Sequence, residues 1–274
     1  MTEPLNGAQI TVRLLERQGI RIVAGIPGGA ALPLYDALGQ STVIRHVLAR
    51  HEQGAGFMAQ GMARVTGRPA VCIATSGPGA TNLLTAIADA KLDSIPLVAI
   101  TGQVPRPLIG TDAFQEVDTY GLSIPITKHN FLVSSAEELL RVIPRAFAIA
   151  ASGRPGPVLV DIPKDVQTQL IDIAEWPEPG AAKPAPVADS VLIARAAAMI
   201  NAAERPVLYL GGGVIHSGAA SLAVNLAEKS NLPTVMTLMA LGAMPVNHPL
   251  SLGMLGMHGT RQANLALNEC DLLI

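Results

Sequence analysis

One carboxylate stands out by its neighbours. Glu52 follows Arg50 and His51 at the end of a strand-like run, Val43-Ile44-Arg45-His46-Val47-Leu48. Beyond it Gly54, Ala55, Gly56, Ala59, Gly61 and Ala63 recur. Small residues in that pattern read as a closely packed helix, so Glu52 falls at a strand-to-helix junction. In open α/β sheets the carboxyl ends of strands leave a ligand crevice at such junctions. The same position also suits an acid that merely complements the helix dipole.

Three glycine turns accompany this acid: Gly25 to Gly29, Gly77 to Gly79 and Gly211 to Gly213. Each follows a strand-like run and precedes a helical one, a context that lets backbone N–H groups and a helix amino end approach a ligand's oxygens. Taken singly, each is also ordinary turn chemistry. None completes the dinucleotide fingerprint, because Gly77-Pro78-Gly79 runs on to Asn82 where a third Gly or Ala is expected.

No nucleophile elbow, Walker A lysine or pair of histidines at metal spacing is present, and His46, His51, His129, His216, His248 and His258 are scattered. No metal site is therefore expected in this chain. A catalytic chain without such groups is explained by an organic cofactor that carries the hard chemistry. Cys72 and Cys270 fit neither a metal spacing nor a disulfide framework and are expected as buried, reduced thiols.

The elements that must position these residues follow from periodicity. Asn6 caps a helix carrying Ile10, Leu14 and Leu15, and Gly19 ends it. Strands at 20–24, at 43–48 leading to Glu52, at 69–75 and at 96–101 alternate with glycine turns and helices, which predicts a doubly wound parallel sheet. From Gly102 to Asn130 the pattern loosens into a long loop, of the kind that is usually functional. Ser135 with Glu138 predicts a capping box opening the helix 136–151, and Val158 to Ile162 is the closing strand. Prolines at 177, 179, 184 and 186 mark a linker over 166–189 after a first domain of residues 1–165. A second Rossmann-like α/β unit, incomplete at 190–274, follows with a helix at 191–203, a strand at 206–210, the Gly211 turn, a helix at 217–230 and a strand at 232–237.

Composition agrees with this class. Of 274 residues, 49% are hydrophobic and only 15% charged, which suits strands buried on both faces and argues against disorder. Aromatics at 3% and a net charge of −2 give no case for a nucleic-acid or anionic-membrane partner. No leader or membrane-spanning run is recognisable, so a cytoplasmic protein is expected. The closing Cys270-Asp271-Leu272-Leu273-Ile274 reads as a core strand beginning, left unpaired and sticky, and the chain as a fragment of a longer protein.

Taken in order, several of these segments resemble one family. Arg50-His51-Glu52-Gln53, Ser76 to Asn82, Asp93-Ser94-Ile95-Pro96, Gly110 to Glu116, Gly153 to Val158, Gly211-Gly212-Gly213 and Gly253 to Gly259 are similar to the thiamine-diphosphate-dependent acetohydroxyacid synthases over nearly the whole chain. The resemblance implies a pyrimidine-binding domain up to about residue 165 and the beginning of an FAD-binding central domain from 190. It implies thiamine diphosphate, FAD and Mg²⁺ as cofactors, with the Mg²⁺ and diphosphate held by a C-terminal domain that this sequence lacks. Pyruvate and 2-ketobutyrate are the implied substrates, and a homodimer with shared active sites and a small regulatory subunit the implied assembly.

By the same resemblance Glu52 is the acid that exchanges a proton with the cofactor's aminopyrimidine N1′, a role for which burial should raise its pKa. Gly29 matches the loop residue near the reacting carbon, Gln115 and Phe114 line the substrate entry with Ala30 and Ala113, and Lys164 matches a channel lysine. Pro78 and Asn82 fall to the thiamine side. Arg154, Gly211, Gly212, Gly213, Thr237, Leu238, Gly256, Met257 and His258 fall to the flavin, which takes no redox part in the net reaction. A glyoxylate carboligase, sharing fold and cofactors, is one alternative, although that enzyme has an apolar residue where Glu52 stands. A non-catalytic assembly module, suggested by the missing diphosphate domain, is another.

Overall fold

The computed structural model describes residues 4–274. Its first helix begins where the sequence supplies a cap: Asn6 Oδ1 accepts from Gln9 N at 2.9 Å, and Gln9 Oε1 accepts from Asn6 N at 3.0 Å. In chain order come β1 (Leu5–Asn6), α1 (Gly7–Arg17), β2 (Ile22–Gly25), α2 (Leu32–Gln40), β3 (Arg45–Leu48), α3 (Glu52–Thr66), β4 (Ala70–Ala74), α4 (Pro78–Leu92) and β5 (Leu97–Gln103). They are followed by α5 (Thr119–Ser123), β6 (His129–Leu132), α6 (Ala136–Ala151), β7 (Val158–Pro163), α7 (Lys164–Thr168) and β8 (Leu170–Ile171). Six strands form one sheet in the order β3-β2-β4-β5-β7-β6, and every pair in it is parallel.

Alternation along the central strands feeds two cores. Val71, Ile73, Val98, Ile100, Val158 and Val160 pack with residues of α1, α2 and α6 on one face, while Ala70, Cys72, Ala74, Leu97, Ala99 and Leu159 pack with residues of α3 and α4 on the other. The second face takes small residues because the two helices lie close. A Cβ on Gly56 would stand 2.5 Å from Ala86 Cβ, and Gln60 Nε2 donates to Ala86 O at 2.6 Å. From β2 the chain moves outward to β3 and then crosses to the other side of β2 for β4. The order of winding therefore reverses between β2 and β4, and that is where a doubly wound sheet opens its ligand crevice.

Several expectations are corrected. The stretch expected as loop to Asn130 contains the short helix α5, and its last two residues open the edge strand β6, too short and too polar (His-Asn-Phe-Leu) to declare itself, with β7 inserted between it and β5. Ser135 Oγ accepts from Glu138 N at 3.3 Å, but Glu138 Oε2 turns to Ser134 N and Oγ, each 2.8 Å away, so the capping box is half formed. The segment expected as linker from 166 instead begins by folding onto the first unit: Val166, Gln167 and Ile171 are buried, and β8 pairs antiparallel with β1. The first compact unit accordingly extends to Ala185, and the second is Pro186–Ile274. Both cysteines are free, but only Cys72 is buried, and burial pushes its thiol up to about 12; Cys270 is half-buried.

The second unit comprises α8 (Ser190–Ala202), β9 (Pro206–Leu210), α9 (Gly212–His216), α10 (Ala220–Ser230), β10 (Thr234–Met236), β11 (Ser251–Met254), α11 (Arg261–Glu269) and β12 (Leu272–Leu273). Its parallel sheet has the order β11-β10-β9-β12. Gly212 and Gly213, expected in a turn, begin the short helix α9, and the next helix starts at Ala220 rather than 217. The terminal strand expected to be unpaired instead pairs with β9, with Leu272 opposite Pro206.

Candidate functional site

Four loops leave the carboxyl ends of β2, β3, β4 and β5. After β3, His51 caps α3, its Nδ1 accepting from Gln53 N at 3.1 Å, and Glu52 is the first helical residue. Glu52 is half-buried, and its Oε2 accepts from Asn82 Nδ2, one turn into α4, at 2.9 Å. The dry surroundings that a proton-exchanging carboxyl needs are therefore only partly built by this unit.

The loop after β2 is shaped by close approach. A Cβ on Gly28 would lie 2.5 Å from Thr75 Cγ2, whereas one on Gly29 would meet nothing within 4 Å. Gly29 is thus exposed over open space. Ala30, expected in the substrate channel, is buried, and both its backbone groups are engaged: its N–H donates to Thr75 Oγ1 at 3.1 Å and its carbonyl accepts from Gln167 Nε2 at 2.8 Å.

After β4, Gly77 adopts φ 57° and ψ −119°, and a Cβ there would stand 2.7 Å from Gln115 O and 2.9 Å from Gln115 Cα. Glycine is required at this position twice over, by backbone conformation and by space. Pro78 then opens α4. Gln115 itself has φ 57°, a left-handed conformation that costs a non-glycine residue about 1–2 kcal/mol and that clusters at functional sites. Its neighbour Phe114 is 87% exposed, and Ala113 is half-buried.

Glu52, Asn82, Pro78, Gly29, Ala30 and Gln115 are therefore brought to one end of the sheet. Lys164, half-buried, starts α7 directly after β7. Arg154 is not part of that group. It precedes β7, at the sheet's amino end, where its Nε donates to Ser94 Oγ at 2.7 Å and its Nη2 to Leu92 O at 3.0 Å, closing the carboxyl end of α4.

Four buried polar residues of the crevice were missed: Thr75, Gln103, Asp161 and Gln167. The one visible signal was an acid within Val158-Leu159-Val160-Asp161-Ile162. Asp161 is fully buried, and burial pushes its carboxyl up to about 7, opposed by hydrogen bonds from Thr101 Oγ1 (2.7 Å) and Gln103 Nε2 (3.0 Å), with the nearby Asp118 charge adding to the rise. Among the described residues no group of three or more His, Cys, Asp or Glu side chains is placed to hold a metal ion.

In the second unit the residues matched to the flavin also share one sheet end. Gly211 to Gly213 follow β9, Thr237 and Leu238 follow β10, and Gly256, Met257 and His258 follow β11. Positions 211 and 213 have open space where a Cβ would be, and Gly256, at φ 92°, is pinned by both groups of the Asn264 amide. Thr237 Oγ1 is buried without any hydrogen-bond partner. An orphaned hydroxyl at a strand end beside glycine loops fits a polar ligand that completes it.

Comparison with known proteins agrees with this geometry. The family model described as thiamine pyrophosphate enzyme, N-terminal TPP binding domain, matches residues 5–122, and that of the thiamine pyrophosphate enzyme central domain matches residues 193–274. The chain is 68% identical over 268 residues to the acetolactate synthase isozyme 1 large subunit of Escherichia coli (strain K12), covering 98% of this chain and 47% of that protein. It is 57% identical over 276 residues to the acetolactate synthase large subunit IlvB1 of Mycobacterium tuberculosis (99% of this chain, 44% of that protein). It is 52% identical over 275 residues to a probable acetolactate synthase large subunit of Methanocaldococcus jannaschii (98% and 46%). The chain thus spans about half the length of these relatives. With the TPP-binding unit and the central unit both matched in order, the chain belongs to the thiamine pyrophosphate enzyme family.

Proposed function

We propose that this chain is part of an acetolactate synthase catalytic subunit, which decarboxylates pyruvate and joins the two-carbon unit to a second pyruvate or to 2-ketobutyrate in branched-chain amino-acid synthesis. The observation that carries the reading is the position of Glu52: a carboxylate oriented by Asn82 at the switch crevice of a parallel sheet, in a chain 68% identical to a bacterial acetolactate synthase large subunit.

Thiamine diphosphate, when bound, supplies the electron sink for loss of CO₂. Glu52 Oε1, the oxygen that Asn82 leaves free, holds the proton exchanged with the aminopyrimidine N1′. Gly29 leaves room above the loop for the reacting carbon, and Gln115 with Phe114 lines the approach. In the second unit Thr237, Leu238, Met257, His258 and the glycines of the 211–213 and 256 turns hold FAD, the orphaned Thr237 hydroxyl supplying a polar contact. Mg²⁺ and the diphosphate fall to residues outside this chain.

A shared-site homodimer is part of the proposal. On the outer side of α3 and α4, Phe57, Met58, Val65 and Leu92 are exposed, the last two at 88% and 76%, which supports a covered face rather than a solvated one. A smaller regulatory partner follows from the relatives' names as large subunits. A cytoplasmic setting belongs to the same proposal; among the described residues no helix is long and apolar enough to cross a membrane.

The test is the full-length protein incubated with pyruvate, thiamine diphosphate, Mg²⁺ and FAD. Acetolactate is the expected product. A protein that binds the cofactor but leaves pyruvate unchanged contradicts the reading.

A further inference from the structure

The loop that carries Phe114 and Gln115 leaves β5 at Val104 and reaches α5 at Asp118, and its two ends meet at a single side chain. Gln103 Oε1 accepts from Val104 N at 2.9 Å, and this fixes the orientation of the amide. Its Nε2 then donates both to Val117 O at 2.9 Å and to Asp161 Oδ2 at 3.0 Å. Gln103 is therefore a staple across the base of the loop, and Asp161, on the neighbouring strand β7, holds the staple in place. The other carboxyl oxygen, Oδ1, accepts from Thr101 Oγ1 at 2.7 Å.

All three side chains are buried: Thr101 at 0%, Gln103 at 2% and Asp161 at 1% exposure. A second tie at the loop's start, Arg106 to Asp165, is exposed and correspondingly weak. An acid in the middle of a parallel strand, with no cation bonded to it, destabilises the sheet unless its hydrogen bonds compensate. A valine continuing Val158-Leu159-Val160 would bury more apolar surface there and would anchor nothing.

We propose that Asp161 is a positioning residue for Gln115, acting through Gln103: the Asp161–Gln103–Val117 chain of hydrogen bonds sets the base of the loop, and Gly77 receives its tip. The inference rests on the reading of the crevice as a 2-ketoacid carboligase site.

The neutral isostere tests the hydrogen-bonding role. In D161N the amide oxygen can accept from Gln103 Nε2 and the amide nitrogen can donate to Thr101 Oγ1, so the staple survives. In D161V and in Q103M it is cut. In the full-length enzyme, D161N is expected to keep kcat/KM for pyruvate near the wild-type value. D161V and Q103M should each lose about tenfold, mainly in KM, and the double variant should lose no more than either alone. Thiamine diphosphate affinity should not change. Hydrogen exchange of the amides of residues 104–118 should quicken in D161V and Q103M but not in D161N.

Wild-type kcat/KM and unchanged exchange in Q103M overturn the inference, as do additive losses in the double variant or a D161N as impaired as D161V. If D161V fails to fold, Q103M and D161N decide the matter by themselves. A wild-type protein that makes no acetolactate defeats the functional reading instead, and the exchange measurement still decides whether Asp161 anchors the loop.

Discussion

Asn82 Nδ2, on the second turn of α4, donates to Glu52 Oε2 at 2.9 Å, joining the amino-terminal ends of two helices that start from different strands of the sheet. One carboxyl oxygen is thereby fixed and the other left free. In the proposed enzyme N82A should lower kcat by about 10- to 100-fold, the range of a hydrogen bond to a charged group worth about 1.5–3 kcal/mol. Steady-state kinetics at saturating cofactor measure this, and turnover equal to wild type would show that Asn82 does not orient the acid.

Gly77 and Gly29 form a contrasting pair. An alanine at 77 meets the Gln115 backbone and must adopt φ 57°, so G77A should destabilise the first unit by about 1–3 kcal/mol and displace Gln115. An alanine at 29 meets nothing within 4 Å, so G29A should leave thermal stability unchanged while impairing turnover by filling the crevice. Thermal melts and kinetics on both variants separate these outcomes; equal stability losses would contradict the assignment of open space at Gly29.

Thr237 bears on the flavin. Its hydroxyl is buried without a partner, so T237V should slightly stabilise the flavin-free protein and weaken FAD binding by about threefold to tenfold, the effect of one neutral hydrogen bond. Titration of flavin fluorescence checks it, and unchanged affinity would assign the orphaned hydroxyl to something other than the cofactor.

The buried Asp161 gives a pH dependence whose sign is fixed. Its carboxyl stands at about 7 in the folded chain against 3.8 for an ordinary aspartate. Between those values the folded state binds more protons than the unfolded one, so this group's contribution to stability falls as pH rises from about 4 to 7 and is level outside that window. The groups facing it are Asp118, whose charge adds to the rise, and the neutral Thr101 and Gln103. D161N lacks the slope. The melting temperature of wild type relative to D161N should therefore fall from pH 4.5 to pH 7.5; a constant difference contradicts the account.

Much of the fold was legible because its signals are local. The Asn6 cap, the glycine turns and the apolar runs between them each act within a few positions. What escaped was tertiary. β6 is four residues held at the sheet edge by β7, which comes later in the chain, and residues 166–171 look like linker until β8 finds β1, more than 160 residues away.

The site divides along the same line. Glu52 could be marked from its junction, but its partner Asn82 lies 30 residues on, and the Thr101–Asp161 pair is separated by 60. Gln103 and Gln167 gave no sign in sequence, because an amide reveals its role only when the carbonyl it holds is in view. Arg154, matched to the flavin by resemblance, spends its guanidinium on Ser94 and a helix end in this unit.

The central claim, that Glu52 exchanges the proton which activates the cofactor, is tested most directly by hydrogen–deuterium exchange at C2 of thiamine diphosphate bound to the full-length protein, followed by NMR after acid quench. The account predicts exchange in wild type slowed by at least about 100-fold in E52Q, the lower range of a general acid–base contribution, with the cofactor still bound. Exchange at the wild-type rate in E52Q, at full cofactor occupancy, would contradict it.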